Sequence, residues 1–223
     1  MTASNGWVLQ SPLYKFMSSI TTTVITPEII SKAMDYDEYR RMIDELLAQD
    51  KTTGDNHSEE MVHYTRMNVQ RMNRLDKRVE LADLLAEELN EIDKDWVWLV
   101  LTEAWCGDAA QNIPAIKKIA DESENIEIKF ILRDEHLDIM DEYLTNGGRS
   151  IPKLICLDAD TLEEIGTWGP RPEAAQKKAM EWKDNEDISK EEWAKKLHKW
   201  YKKDKTKELQ SEFKELVSEW KKD

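Results

Sequence analysis

The stretch LVLTEAWCGDAAQNIPAI, residues 99–116, joins an apolar, β-rich run to a helical one, and Cys106 stands at the junction. A thiol placed there is suited to nucleophilic chemistry. Unpaired N–H groups and the positive end of the helix macrodipole both favour its anion. Gly107 permits the tight turn that follows. A thiolate of this kind attacks disulfides or is reversibly capped by a small thiol. The opposing reading is an inert, buried cysteine, because cysteine is among the most buried residue types. The strand–turn–helix setting favours the reactive one.

The neighbouring acids carry less chemistry. A carboxylate at Asp108 raises the pKa of an adjacent thiol but suits a helix N-terminus, so capping is its expected role. Glu103 is expected to be an exposed acid at a strand end, ahead of a proton carrier. The second cysteine, Cys156, falls within KLICLD, which reads as a central strand. At about 3.3 Å per residue it lies ~10 Å or more from the cysteine turn, beyond disulfide reach, and reads as core filling. His57, His63, His136 and His198 show no metal-ligand spacing. Gly147-Gly148 reads as a helix C-cap rather than a phosphate loop. No metal and no cofactor is implied.

Several elements must position these residues. Trp96–Thr102 (WVWLVLT) reads as a strand covered on both faces, and Ile126–Leu132 (IEIKFIL) as a second strand. A helix is expected from about Ala109 to Ala120, and another over EHLDIMDEYL, ending at Asn146-Gly147-Gly148. KLICLD and EEIGTW read as a hairpin turned by Asp158 to Thr161. Upstream, ITTTVIT (Ile20–Thr26) is a candidate edge strand, and Thr26-Pro27-Glu28 opens a helix. A second helix is expected over Asp37–Gln49, and KTTGDNHS reads as a loop. Helical pattern runs from Ser58 to Leu89 with a break near Asp76 or Asp83; Met61, Tyr64, Met72, Leu75, Val79, Leu84, Leu85 and Leu89 are its candidates for burial. Ser189–Glu192 is a capping box, and Trp193, Leu197, Trp200, Leu209, Phe213, Leu216, Val217 and Trp220 follow as an apolar stripe.

The net charge of −14 argues against nucleic-acid and anionic-membrane partners. The N-terminus lacks the basic and apolar regions of a secretory signal, and Met17 is a second candidate initiator. Two distant cysteines fit a reducing compartment, and the cytoplasm is the expected location.

Strand, Trp105-Cys106-Gly107, helix with internal Pro114, strand, helix, Arg149-Ser150-Ile151-Pro152 and a terminal hairpin closed near Gly169 together resemble the thioredoxin family. The variant most similar is the bacterial thioredoxin-like protein carrying Trp-Cys-Gly-Asp. The resemblance implies an α/β thioredoxin-like fold with a central mixed sheet and helical N- and C-terminal extensions. The expected layout is a tail over 1–26, a helical extension over 27–90, the core over 91–179, and a C-terminal extension over 180–223 packed on it. Ile151-Pro152 would be the cis-proline segment, placing the Ile151 backbone beside the sulfur. Trp105, Gly107, Asp108 and Ala109 would flank Cys106. Arg149 is a candidate for binding a glutathione carboxylate, with a surface salt bridge as the alternative.

Two departures restrict what the resemblance implies. Ala109 occupies the position of the family's resolving cysteine, and Val100 that of its buried acid. The expected activity is therefore monothiol exchange with protein thiols, protein disulfides or glutathione. The alternative is a non-enzymatic protein-binding module, and a homodimer is compatible with both. An iron–sulfur carrier would need Cys-Gly-x-Ser, which Ala109 breaks.

The C-terminal stripe holds too many large apolar groups to leave in water. Deleting Ser189–Asp223 is expected to cause aggregation, read by light scattering; a truncation that stays monomeric with unchanged melting would reject this.

Overall fold

The computed structural model describes residues 24–222. The strand expected over Ile20–Thr26 lies, up to residue 23, outside them; Val24–Thr26 leads straight into helix α1 (Pro27–Lys32). The Thr26 hydroxyl accepts the Ile29 N–H, and Pro27 opens the helix where a missing N–H costs nothing. Helix α2 (Tyr36–Leu47) starts from a capping box in which Asp35 and Glu38 bond each other's backbone N–H groups. The long helical pattern divides into α3 (Glu59–Asp76) and α4 (Asp83–Asn90), so the break falls between the two aspartates. Met72, Leu85 and Leu89 are buried as expected. Tyr64 and Leu84 are instead exposed, because they lie on the outward faces of α3 and α4.

Strands β1 (Trp96–Thr102), β2 (Ile126–Leu132), β3 (Lys153–Asp158) and β4 (Glu164–Trp168) form one mixed sheet ordered β2-β1-β3-β4. β1 and β2 are parallel and are connected through α5 (Gly107–Ala120), since parallel strands require a crossover. β3 runs antiparallel to both β1 and β4. Every β1 side chain is buried, in keeping with an unbroken apolar run. At the β3–β4 turn, Asp158 Oδ1 accepts the N–H groups of Asp160 and Thr161.

The helix expected to reach Asn146 is shorter. A 3₁₀ turn (Arg133–Glu135) precedes α6 (Leu137–Glu142). Gly147-Gly148 is not a helix C-cap: Thr145 and Gly148 exchange backbone hydrogen bonds around Asn146-Gly147, both of which have positive φ. That is the geometry of a two-residue hairpin turn, which Asn-Gly favours over helix.

The C-terminal stripe is divided among α7 (Glu173–Lys183), α8 (Lys190–Asp204) and α9 (Lys207–Trp220). Lys205 and Thr206 both adopt left-handed backbone and end α8 without a glycine or proline. Helix α9 packs on the sheet: the Phe213 ring centroid lies 5.3 Å from Trp98 and 5.4 Å from Trp168. Trp220 meets Trp96 and Trp98 edge-on, and its indole approaches Gly166 so closely that a Cβ there would come within 2.1 Å of Nε1. Gln210 accepts the Ala82 N–H and donates to the Glu80 carbonyl, while Lys221 pairs with Glu88 and Glu91. The chain's end is thus fastened to the N-terminal helices as well as to the sheet.

Phe213 is fully buried between two tryptophans. Phe213→Ala is expected to lower the unfolding free energy by ~3–5 kcal/mol in urea titration, the usual cost of an aromatic deletion in a close-packed core.

Candidate active site

Cys106 is the N-cap of α5, and its sulfur accepts the Ala109 N–H at 3.4 Å. The thiol donates to the Ile151 carbonyl, on the peptide bond that leads into Pro152, at 3.3 Å. The Ile151–Pro152 and Gly169–Pro170 bonds are cis. Gly169 has φ +120°, and a Cβ on it would lie 2.2 Å from the Pro152 carbonyl oxygen, so a side chain there would push the proline segment from its place.

The turn carrying the sulfur is held from the N-terminal side. The Ala104 N–H donates to Thr53 Oγ1 at 2.9 Å, and Asn68 Nδ2 donates to the Ala104 carbonyl at 2.9 Å. Arg71 in turn fixes Asn68 by donating to its Oδ1. Trp105 is half-buried with the Arg133 guanidinium 4.9 Å from its ring centroid.

Asp108 does not serve as the helix cap, a role the Cys106 sulfur fills. Its carboxylate is buried and pairs with Arg171 at 2.5 Å through Oδ2, and it accepts the Tyr201 hydroxyl at 2.7 Å through Oδ1. Asn112 Nδ2 donates to the same Tyr201 oxygen at 3.1 Å. A carboxylate removed from water needs such partners, and losing one of a buried pair typically costs about 3–5 kcal/mol. His198 packs on Gly107, with Gln111 Nε2 3.3 Å from its Nδ1; burial pulls its imidazole down to about 4, so it is neutral at pH 7.

Burial pushes the Cys106 thiol up to about 12, with the Asp108 carboxylate adding to the rise. The amides of Ala109 and Asp108 and the Arg171 cation act in the opposite direction but are outweighed. Burial thus works against the anion that the helix N-terminus favours.

Glu103 is also corrected. It is fully buried instead of exposed; Oε1 accepts the Asp134 N–H at 2.9 Å, Oε2 has no partner, and burial pushes the carboxyl up. Ala109, Ile151 and Pro152 are buried around the sulfur, whereas Arg149 is exposed and bonds Asp141 with two nitrogens at 2.6 and 2.7 Å. Cys156 is buried in β3 opposite Trp98, and burial raises its thiol pKa as well. Among the described residues no three His, Cys, Asp or Glu side chains are grouped to hold a metal, and no helix is long and apolar enough to cross a membrane.

Sequence reasoning missed Thr53, Asn68, Arg171 and Tyr201. The one local signal was Arg171 itself, a cation set between Pro170 and Pro172 directly after the last strand.

A cysteine at the N-terminus of a crossover helix, facing the Ile151 carbonyl on a four-stranded mixed sheet, defines a thioredoxin-like protein. The family model described as Thioredoxin matches residues 54–194, more than half of the chain, and the chain belongs to that family. A crystal structure of a protein of unknown function from Pseudomonas aeruginosa is similar at 17% identity and a TM-score of 0.57, covering 86% of this chain and 95% of that one. An HIV epitope-scaffold is similar at 20% identity and a TM-score of 0.51, covering 79% of this chain and 95% of that one. At these identities the likeness is one of fold. No curated protein matches the chain.

A thiol held protonated reacts through its small thiolate fraction. The alkylation rate of Cys106 by iodoacetamide is expected to climb about tenfold per unit from pH 7 to 10. A plateau near the ordinary thiol value of about 8.5 would contradict the burial argument.

Proposed function

We propose that the protein is a monothiol member of the thioredoxin family in which Cys106 forms and exchanges mixed disulfides. The observation that supports this is the placement of the Cys106 sulfur against the Ile151 carbonyl, with Ala109 where a second thiol would close the ring. The Cys106 thiolate attacks one sulfur of a protein disulfide or of oxidised glutathione. A Cys106–sulfur bond forms, the original S–S bond breaks, and the released thiolate takes a proton. Cys106 returns to its thiol only when an external thiol attacks the mixed disulfide and leaves with the other sulfur. A reducing compartment, the cytoplasm, supplies that second thiol.

Burial of Cys106 and its thiol pushed up to about 12 favour a second reading, a protein-binding module that uses the proline segment and the surrounding helices without redox chemistry. The two readings separate in one experiment. Under exchange, oxidised glutathione gives a single adduct at Cys106, reversible by dithiothreitol, with Cys156 unmodified by peptide mapping. Insulin disulfides are not reduced through repeated turnover, and Ala109→Cys raises that activity. No adduct at Cys106 would leave the binding module, and wild-type turnover equal to that of Ala109→Cys would refute the role given to Ala109.

A further inference from the structure

Helices α7 and α8 form an apolar cluster of their own. Ala175, Ala179, Leu197 and Tyr201, with Trp182, Trp193 and Trp200 around them, are separate from the main core that contains the sheet and α9. Trp193 Nε1 donates to the Ala179 carbonyl at 2.8 Å, closing the pair on itself. The hydrogen bonds and ion pair that tie this pair to the rest of the fold run mainly to the cysteine helix, with one more from the Glu173 N–H at the start of α7 to Glu212 of α9. The Tyr201 hydroxyl reaches Asp108 Oδ1, Asn112 reaches Tyr201, Gln111 meets His198, and Arg171, just ahead of α7, holds Asp108 Oδ2.

Helix α8 reaches the turn that carries the sulfur. His198 covers Gly107 so closely that a Cβ there would lie 3.1 Å from the imidazole Cε1, and Cys106 beside it is only 8% exposed. Downstream, α9 is locked into the core by Phe213 and Trp220, whereas Lys205 and Thr206 between the two helices are both left-handed non-glycine residues. Two adjacent residues in a sparsely populated conformation, at the junction of a core-anchored and a separately packed helix, have the character of a hinge. A unit with few buried contacts to the rest of a fold opens at lower cost than its core.

We propose that the α7–α8 pair is a lid over the Cys106 site, latched by Tyr201 and Arg171 on Asp108, and that a disulfide-bearing polypeptide reaches Cys106 when the latch releases. The inference rests on the exchange reading for what enters, but not for the motion itself. Tyr201 and Arg171 are positioning residues that act through Asp108. The charged or titratable groups near the sulfur include Asp108 on α5, Arg171 ahead of α7 and Tyr39 on α2, with Tyr201 and His198 of α8 facing Asp108 and Arg71 of α3 beside Gly107 and His198.

The test compares the full-length protein with Tyr201→Phe and Arg171→Met, using iodoacetamide as the probe and Cys156 as the internal control. Tyr201→Phe removes a hydrogen bond to a charged acceptor and leaves the aromatic packing, so Cys106 alkylation is expected to rise about tenfold at pH 8. Arg171→Met is expected to act in the same direction but less, because losing the cation also disfavours the thiolate, and Cys156 is expected to stay protected in both. Amide hydrogen exchange is expected to quicken in α8 and to stay slow in α9. An unchanged Cys106 rate in both variants, or an equal rise at both cysteines, overturns the lid. If alkylation accelerates but oxidised glutathione still leaves Cys106 unmodified in Tyr201→Phe, the exchange reading fails and the lid stands.

Discussion

Asp108 is a carboxylate in the first turn of the helix that Cys106 caps, and it is taken out of water. That burial is the constraint around which the site is arranged, because an ionised group in a poorly solvated place must be paired and hydrogen-bonded or it destabilises the fold. Arg171 and Tyr201 satisfy it from separate parts of the chain, 63 and 93 residues away in sequence. Helix α8 and the Arg171 loop thereby take part in the candidate site. The same charge has a second consequence, since a carboxylate beside the sulfur opposes ionisation of the thiol.

The opposite side of the turn is fixed by neutral groups. Backbone N–H and carbonyl groups at a buried turn need partners, and at Ala104 these are Thr53 and Asn68 from the N-terminal helical region. The sulfur therefore sits in a turn whose backbone is held by Thr53 and by Asn68 of α3, and whose first helical turn is held by Arg171 and by Tyr201 of α8. Neither set of contacts belongs to the sheet that gives the fold its shape. Helix α9 joins the two extensions, with its aromatic face on the sheet and Gln210 and Lys221 reaching back to the segments around α4.

Much of the architecture was legible in the residues. Strand β1 carries a continuous apolar run, whereas β2 alternates apolar residues with Glu127 and Lys129 before Phe130–Leu132, and both patterns mark strands. The capping box at Ser189 and the proline-led helix at Thr26 are short-range signals, and each starts the helix it predicts. The Cys106 turn was legible for the same reason, since a strand, a glycine and a helix in succession leave the chain little choice. Less legible were the exposed Tyr64 and Leu84, where apolar character alone says nothing about which helix face meets a neighbour. The α8–α9 break was also hidden, as neither Lys205 nor Thr206 announces a left-handed residue.

What the sequence determined by itself is the local grammar: which segments are strands or helices, where they start, and that one sulfur stands at a helix N-terminus without a second thiol at Ala109. These follow from interactions spanning a few residues, such as caps, turns and apolar periodicity, which a linear reading contains. Tertiary structure alone decided that Glu103 is buried, that Asp108 pairs with Arg171 and Tyr201 instead of capping its helix, and that burial pushes the Cys106 thiol up. Each of these depends on how much water remains around a charge and on which distant group approaches it. Folding sets both when it brings α8 and the Arg171 loop onto the first turn of α5.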